Sequence, residues 1–507
     1  MIKKKIVRVL TVAGLLACLA SGCASGGSSV GKEAAADEIK KGGFTVAASC
    51  HDPQILREGD TYYMFGSHMV GAKCQDLRKW NYFANGVDAA NTLFDNLLTE
   101  PYAAFDFVGK NTDNGYSVWA SNVIYNETMK KYVMYFCTTS SYVKSTLCFA
   151  TADNIEGPYT YVDTILYSGY GKSNISETNL YDVLGKNADI SRYLEYGGYN
   201  NKEWPNCIDP AIFTDADGRM WMNYGSWSGG IFLLEIDPTT GYPIYPVDDK
   251  DADPYYGYRL IGGGHHSAEG PYIQYDAENG YYYLFVSYGD LQSDGGYQIR
   301  QFRSEKPTGP YVDVAGKTLE DQDDHFNYGL KMMGNYTFPS LNYTYMAPGG
   351  QSTFQDDDGK YYITYHQRFD DGTEYHEPRV HQMYTNEDGW FVAAPFATMG
   401  ETLSEKGYKK SDVSGTFYVV NHGTDISSKI REAEAYTFAD GKVTGGEKSG
   451  TYEVKEGTDY ITITLDGVVY KGVLMEMTDE AENPVFCFSA AGDNEETLWG
   501  VQYIKKE

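Results

Sequence analysis

Five stretches of this chain repeat one phrase: a small polar start, an apolar strand, a turn and an aromatic strand. They are DPQILREGDTYYMFGS from Asp52, ASNVIYNETMKKYVMYFC from Ala120, DPAIFTDADGRMWMNYGS from Asp209, EGPYIQYDAENGYYYLFVSYG from Glu269 and APGGQSTFQDDDGKYYITYHQ from Ala347. The turns within them, built on Gly, Asp and Asn, tolerate the left-handed backbone that tight hairpins require. Helical periodicity is rare, and the 47 Tyr and 55 Gly residues fall into short alternating runs, so the chain reads as all-β. Five similar hairpins, separated by further strands, predict a five-bladed β-propeller.

The innermost strands of a propeller line its axis, so residues at their starts converge on one end of a funnel. That logic brings together Asp52, Asp209 and Glu269, each at the start of a different repeat. A carboxylate before proline is ordinarily a turn or cap residue, which explains one such acid but poorly explains three. Two opposed carboxyl groups suit glycoside hydrolysis: one donates a proton to the leaving oxygen and the other activates water or attacks. A third acid nearby raises the donor's pKa through like-charge repulsion. Trp119, Trp204, Tyr224 and Trp227 lie in or beside the same starts. Trp119 and Trp204 are the candidates for stacking on a sugar ring, against packing between blades as the alternative. The formal charge of -29 disfavours nucleic acid and other polyanions and is compatible with a neutral polymer.

The ends of the chain read differently. Lys3, Lys4, Lys5 and Arg8 precede an apolar stretch from Val9 to Ala20, the layout of a secretory signal over residues 1–23. LASGC, ending at Cys23, resembles a bacterial lipobox and predicts a lipid anchor on Cys23, with plain secretion as the alternative. Residues 24–43 are small and polar and read as a flexible tether to a catalytic domain over 44–399. Residues 400–507 form consecutive antiparallel strands with hairpin turns. They predict a small β-barrel or sandwich that either binds polysaccharide or buttresses the propeller. Cys137 and Cys148 flank a hairpin and are either a disulfide pair or buried free thiols.

CHDPQILREGDTYYMFGSH, NCIDPAIFTDADGRMWMNYGSWSGGIFLLEIDPTTG, AEGPYIQYDAENGYYYLFVSYG and YHQRFDDGTEYHEPRVHQMYTNEDGWFVAAP together resemble glycoside hydrolase family 43. Within it they are most similar to secreted endo-α-1,5-L-arabinanases with an extra C-terminal domain. The resemblance implies inverting hydrolysis of arabinan, with Asp52 as general base, Glu269 as general acid, and Asp209 tuning and orienting the acid. It also implies that His366, in TYHQRF, holds a calcium or another ion in the central channel, although an isolated His is by itself a poor calcium ligand. The DADG and DDDG runs lack the full EF-hand spacing and read as turns. Two departures stand out: Asn122 in WASNV is not an acid, and APGGQS occupies a place where relatives often carry a histidine. The expected enzyme is an extracellular monomer acting on arabinan or arabino-oligosaccharides. Exo-acting arabinofuranosidase or β-xylosidase activity is the near alternative, and a non-catalytic surface glycan-binding lipoprotein the distant one.

Overall fold

The computed structural model describes residues 30–320, 325–446 and 448–505. Among these, five sheets follow one another along the chain, four of four consecutive antiparallel strands and a fifth of five, to which Arg431–Glu432 adds in parallel beside Tyr336–Thr337. Their innermost strands are Gln54–Glu58, Ser117–Asn126, Ala211–Thr214, Ala268–Asp276 and Tyr345–Gln355. Turn chemistry sets the hairpins. Gly59 and Asp60 join Glu58 to Thr61, with Gly59 at φ +58°. In Asp215-Ala216-Asp217-Gly218, Asp215 accepts the backbone N–H groups of Asp217 and Arg219 and the indole N–H of Trp221. The DADG run is therefore occupied by its own turn.

The five phrases coincide at one point. Asp52, Ala120, Asp209, Gly270 and Gly350 occupy equivalent positions around the axis, each two residues before the third member of its triplet pairs with the second strand. All five are left-handed, with φ between +45° and +58°. Hydrogen bonds run from blade to blade around this ring. Gln54 exchanges two with the backbone of Val123, Asn122 accepts from Ile212, Asn223 donates to Pro271, Gln351 donates to Gly270, and Ser352 donates to Pro53. Among the described residues no strand is shared between the first and last blades. The ring closes there through Ser352 and through Asp356, which accepts from Arg57 and Tyr62.

The C-terminal segment resolves the choice between barrel and sandwich: eight strands from Gly415–Asn421 to Thr497–Tyr503 form a closed barrel. Its interior is filled by Phe417, Phe438, Phe486 and Phe488. Its outer face shares an apolar cluster with blades 4 and 5, in which Trp499, Val501 and Met475 meet Tyr283, Trp390 and Phe391.

One expectation is corrected and one open choice is resolved. The flexible tether does not extend over residues 30–43. Glu33 bridges Ile504, the Ala34 N–H donates to the Tyr503 carbonyl at the end of the last barrel strand, and Gly42 bridges Leu341 beside blade 5, so backbone hydrogen bonds fix this segment. Cys137 and Cys148 lie on neighbouring strands one residue out of register, Cys137 opposite Leu147 and Cys148 opposite Phe136, and are buried free thiols. The signal peptide, the lipobox with Cys23 and residues 24–29 lie outside the described residues.

Candidate active site

The left-handed ring carries two of the three predicted acids, Asp52 and Asp209. Glu269 stands one residue earlier than its blade's ring position, which Gly270 takes. The expectation that all three hold the same place is off by that residue. Only a small or turn-tolerant residue fits the ring: Gly270 comes within hydrogen-bonding distance of Asp209, its N–H donating to Oδ2 at 3.1 Å. The three carboxyl groups nevertheless face one another closely enough for their charges to interact.

Each acid has its own environment. Asp52 Oδ2 accepts from His51 Nδ1 at 2.7 Å and from Ser67 Oγ at 2.5 Å. Burial alone would raise its pKa, but the charge and hydrogen bond of His51, the Ser67 hydroxyl and His376 outweigh it, and the net shift is downward. Glu269 Oε2 accepts from Ser226 Oγ at 3.0 Å and from Trp227 Nε1 at 2.8 Å, and Oε1 accepts from the Tyr297 hydroxyl at 2.8 Å. Burial still raises it, with the charge of Asp52 adding to the rise against these hydrogen bonds. Asp209 is pushed well above the ordinary range, by burial first and then by Asp52 and Glu269. One mouth thus holds an ionised carboxylate and two groups biased toward the neutral acid.

His366 is fully buried, and neither ring nitrogen has a hydrogen-bond partner among the described residues. Its Nδ1 stands 4.0 Å from Asp52 Oδ1, and its ring stacks on His51 at 4.1 Å. Burial, together with the neighbouring His51 and His376, drives its pKa well below the usual histidine range, so it is neutral. A buried imidazole with two bare nitrogens needs an ion or ordered water to meet them. His51, Asp52 and His366 each offer an atom within 4.8 Å of the others. His51 Nδ1 and Asp52 are already bonded to each other, while His51 Nε2, like both nitrogens of His366, has no partner among the described residues. That set fits an ion whose remaining positions are filled by water.

The two tryptophans separate. Trp119 immediately precedes the ring residue Ala120 and is half-buried, 4.5 Å from the His68 ring, at the mouth. Trp204 is not a substrate platform. It is buried, stacked on Tyr256 at 5.6 Å with the Arg192 guanidinium over its ring at 5.2 Å, and it donates its indole N–H to the Arg192 carbonyl, so the ring is spent on packing. Four partners of the acids were not singled out from sequence. Ser67 and Ser226 carried a signal, since FGS and YGS close the second strand of two repeats and each serine bonds an acid. His51 stands inside the HDP phrase. Tyr297, before the third strand of blade 4, bears no repeated mark.

Residues 183–391 match Glycosyl hydrolases family 43, and residues 395–500 match the C-terminal lipocalin-like domain associated with it. The chain is 38% identical over 467 residues to extracellular endo-alpha-(1->5)-L-arabinanase 2 of Bacillus subtilis, covering 89% of this chain and 92% of that protein. It is 36% identical over 472 residues to the extracellular endo-alpha-(1->5)-L-arabinanase of Thermotoga petrophila, covering 90% and 94%. Among solved structures, the glycoside hydrolase family 43 YxiA protein from Bacillus licheniformis superposes with a TM-score of 0.79 at 36% identity, over 91% of this chain and 99% of that one. The endo-1,5-alpha-L-arabinanase of Thermotoga petrophila gives 0.78 at 35%, over 92% and 100%.

Proposed function

From membership of glycosyl hydrolase family 43, to which this chain belongs, we infer that it is an extracellular endo-acting hydrolase of α-1,5-linked L-arabinan. The observation that carries this reading is the opposite bias of Asp52 and Glu269 at one channel mouth, in a chain that matches endo-arabinanases almost from end to end.

In the proposed mechanism Asp52, kept ionised by His51 and Ser67, takes a proton from water as that water attacks the anomeric carbon. Glu269 delivers its proton to the leaving glycosidic oxygen. Inversion requires the two groups to stand roughly 6.5–9.5 Å apart, with the water between. An indole N–H only donates, so Trp227 fixes Oε2 of Glu269 as an acceptor and leaves Oε1 to carry the acidic proton. The Tyr297 hydroxyl holds Oε1 and can turn from donor to acceptor when Glu269 is protonated. Asp209 orients the pair. Held neutral itself, it exerts little like-charge repulsion, so burial and Asp52 carry the rise in Glu269. Trp119 offers a sugar-stacking ring at the mouth.

His366 is proposed to hold a channel cation, calcium by resemblance to the family, with water completing an oxygen-rich shell. When bound, the ion supplies positive charge beside the Asp52 carboxylate. The finer reading of location, a chain tethered by a lipid on Cys23, rests on LASGC. The test is the course of linear α-1,5-arabinan digestion. Viscosity should fall early, while few reducing ends have formed, with mid-sized oligosaccharides first and an inverted anomeric product by proton NMR. Arabinose or another single small product from the outset would replace the endo reading with an exo one.

A further inference from the structure

A second cavity, of about 300 Å³, lies in blade 5 on the face that carries the acids. Tyr345, which begins the innermost strand, and Phe369, which ends the second, stand at the same edge as Glu269 at the start of its own strand. Tyr375 is covalently next to His376, whose ring packs edge-on against His51 at 5.3 Å. The cavity and the catalytic mouth are therefore neighbours on one surface.

Its composition combines aromatic rims with a polar floor. Tyr343 and Tyr375 are 57% and 45% exposed, among the most exposed large side chains of the propeller. Tyr343 packs against Phe369 in a T-shaped contact at 6.0 Å and keeps more than half of its surface open to solvent. At the floor, the Arg379 guanidinium lies between Phe44 and Phe369, 4.4 and 5.4 Å from the ring centres. Arg379 is only 2% exposed and is fixed in place: Nη1 donates to Glu377, Nη2 to the Phe44 carbonyl, and Nε faces the Glu480 carboxylate at 4.0 Å. Asp371 adds an exposed carboxylate at the rim, and at Gly43 even an added Cβ would meet nothing within 4 Å. Stacking rings around charged hydrogen-bonding groups fit a polyhydroxylated, uncharged ligand, whose C–H faces cover tyrosine and whose hydroxyls reach the polar groups. The net charge of -29 opposes a polyanion.

We propose that this cavity is a second carbohydrate-binding site, which takes a stretch of arabinan remote from the bond being cleaved. The proposal rests on the arabinan reading above. Binding there holds a long chain on the enzyme between cuts and adds nothing to a ligand too short to reach it.

The experiment compares kcat/KM on linear α-1,5-arabinan with kcat/KM on arabinotriose, in wild type and in Tyr343→Ala/Tyr375→Ala. Losing two stacking rings should lower the polymer-to-trisaccharide ratio by about fivefold or more, through KM for the polymer. Tyr343→Phe/Tyr375→Phe, which keeps both ring faces, should restore most of it. An unchanged ratio in the alanine variant overturns the proposal. Should the double variant not fold, Tyr343→Ala alone decides, because that ring is more than half exposed and its loss leaves the core packed. A wild type that cleaves no arabinan defeats the functional reading. A wild type that cleaves it while the ratio stays fixed defeats this proposal alone.

Discussion

At the scale of single residues, the site works by driving alike groups apart. Asp52 and Glu269 are both half-buried carboxyls, yet one is held down by an imidazole and a hydroxyl while the other is held up by desolvation and by its neighbour's charge. The sign of a mutation follows. Tyr297 and Trp227 donate to Glu269 and favour its ionised form, so removing either donor raises its pKa further. Tyr297→Phe should lower kcat by loss of orientation and move the alkaline limb of the pH profile to higher pH. A limb that stays put or moves down would show that Glu269 is not the group lost on that side. Glu269→Gln and Asp52→Asn should each cost about 10²–10⁴-fold or more in turnover, since general acid–base assistance is worth that much, with the far-ultraviolet circular dichroism spectrum unchanged. His366→Ala should lower bound metal, measured by elemental analysis, together with activity. Active wild type that binds no metal would end the channel-ion reading. Much of this constellation was legible in the sequence. HDP and IDP mark Asp52 and Asp209, and the repeated Gly-Ser closing two aromatic strands marks Ser67 and Ser226. Tyr297 was not legible: it reaches Glu269 from a strand start that no repeat distinguishes, and only the folded blade brings it within 2.8 Å.

At the scale of the element, the left-handed residue on or just before each innermost strand explains why the phrases recur and why they are not identical. Five blades need five such turns, and the occupants are Asp, Ala, Asp, Gly and Gly. Period-two alternation is visible in sequence, but the bulge before Tyr272 is not, and that bulge is why Glu269 seemed to share the ring position that Gly270 holds. The ring also sets a sharp test. Ala120 occupies it at φ +45°, so the backbone there accepts a Cβ. At Gly350 a Cβ would stand 2.3 Å from Asp52 Oδ1 and 2.8 Å from His366 Nδ1, closer than real contacts allow. Gly350→Ala should therefore damage catalysis far more than folding, because Asp52 must move out of its bonds to His51 and Ser67. Ala120→Gly, at the equivalent position, is the control. If both variants lose activity alike, the backbone conformation and not the contact with Asp52 is what matters at the ring.

At the scale of the whole molecule, the propeller and the barrel share a core. A hundred-residue β tail was readable from its hairpins, but its docking face was not, since an apolar residue on a barrel strand looks the same whether it points inward or toward a neighbour. Trp499, Val501, Met475 and Val473 point toward the blades, where they bury Tyr283, Trp390 and Phe391. Above that cluster, the segment leaving the first barrel strand supplies carbonyl groups of Thr424 and Asp425 to the buried Arg300 and Lys331 of blade 4. Ile430, farther along the same segment, packs beside Tyr297, which bonds Glu269. Burying one large apolar side chain is worth about 1.5–3 kcal/mol. Uncovering three or more thus costs an amount comparable to the roughly 5–15 kcal/mol that holds a domain folded. It would also leave Arg300 and Lys331 without those acceptors and Tyr297 without a wall. Truncation after residue 413 should accordingly yield an insoluble or aggregating chain. Any soluble fraction should show weakened activity even on arabinotriose, a ligand that needs no distant binding surface. A soluble truncated propeller with full trisaccharide activity would mean instead that the barrel is a separable appendage, and that the blades reach their stability without it.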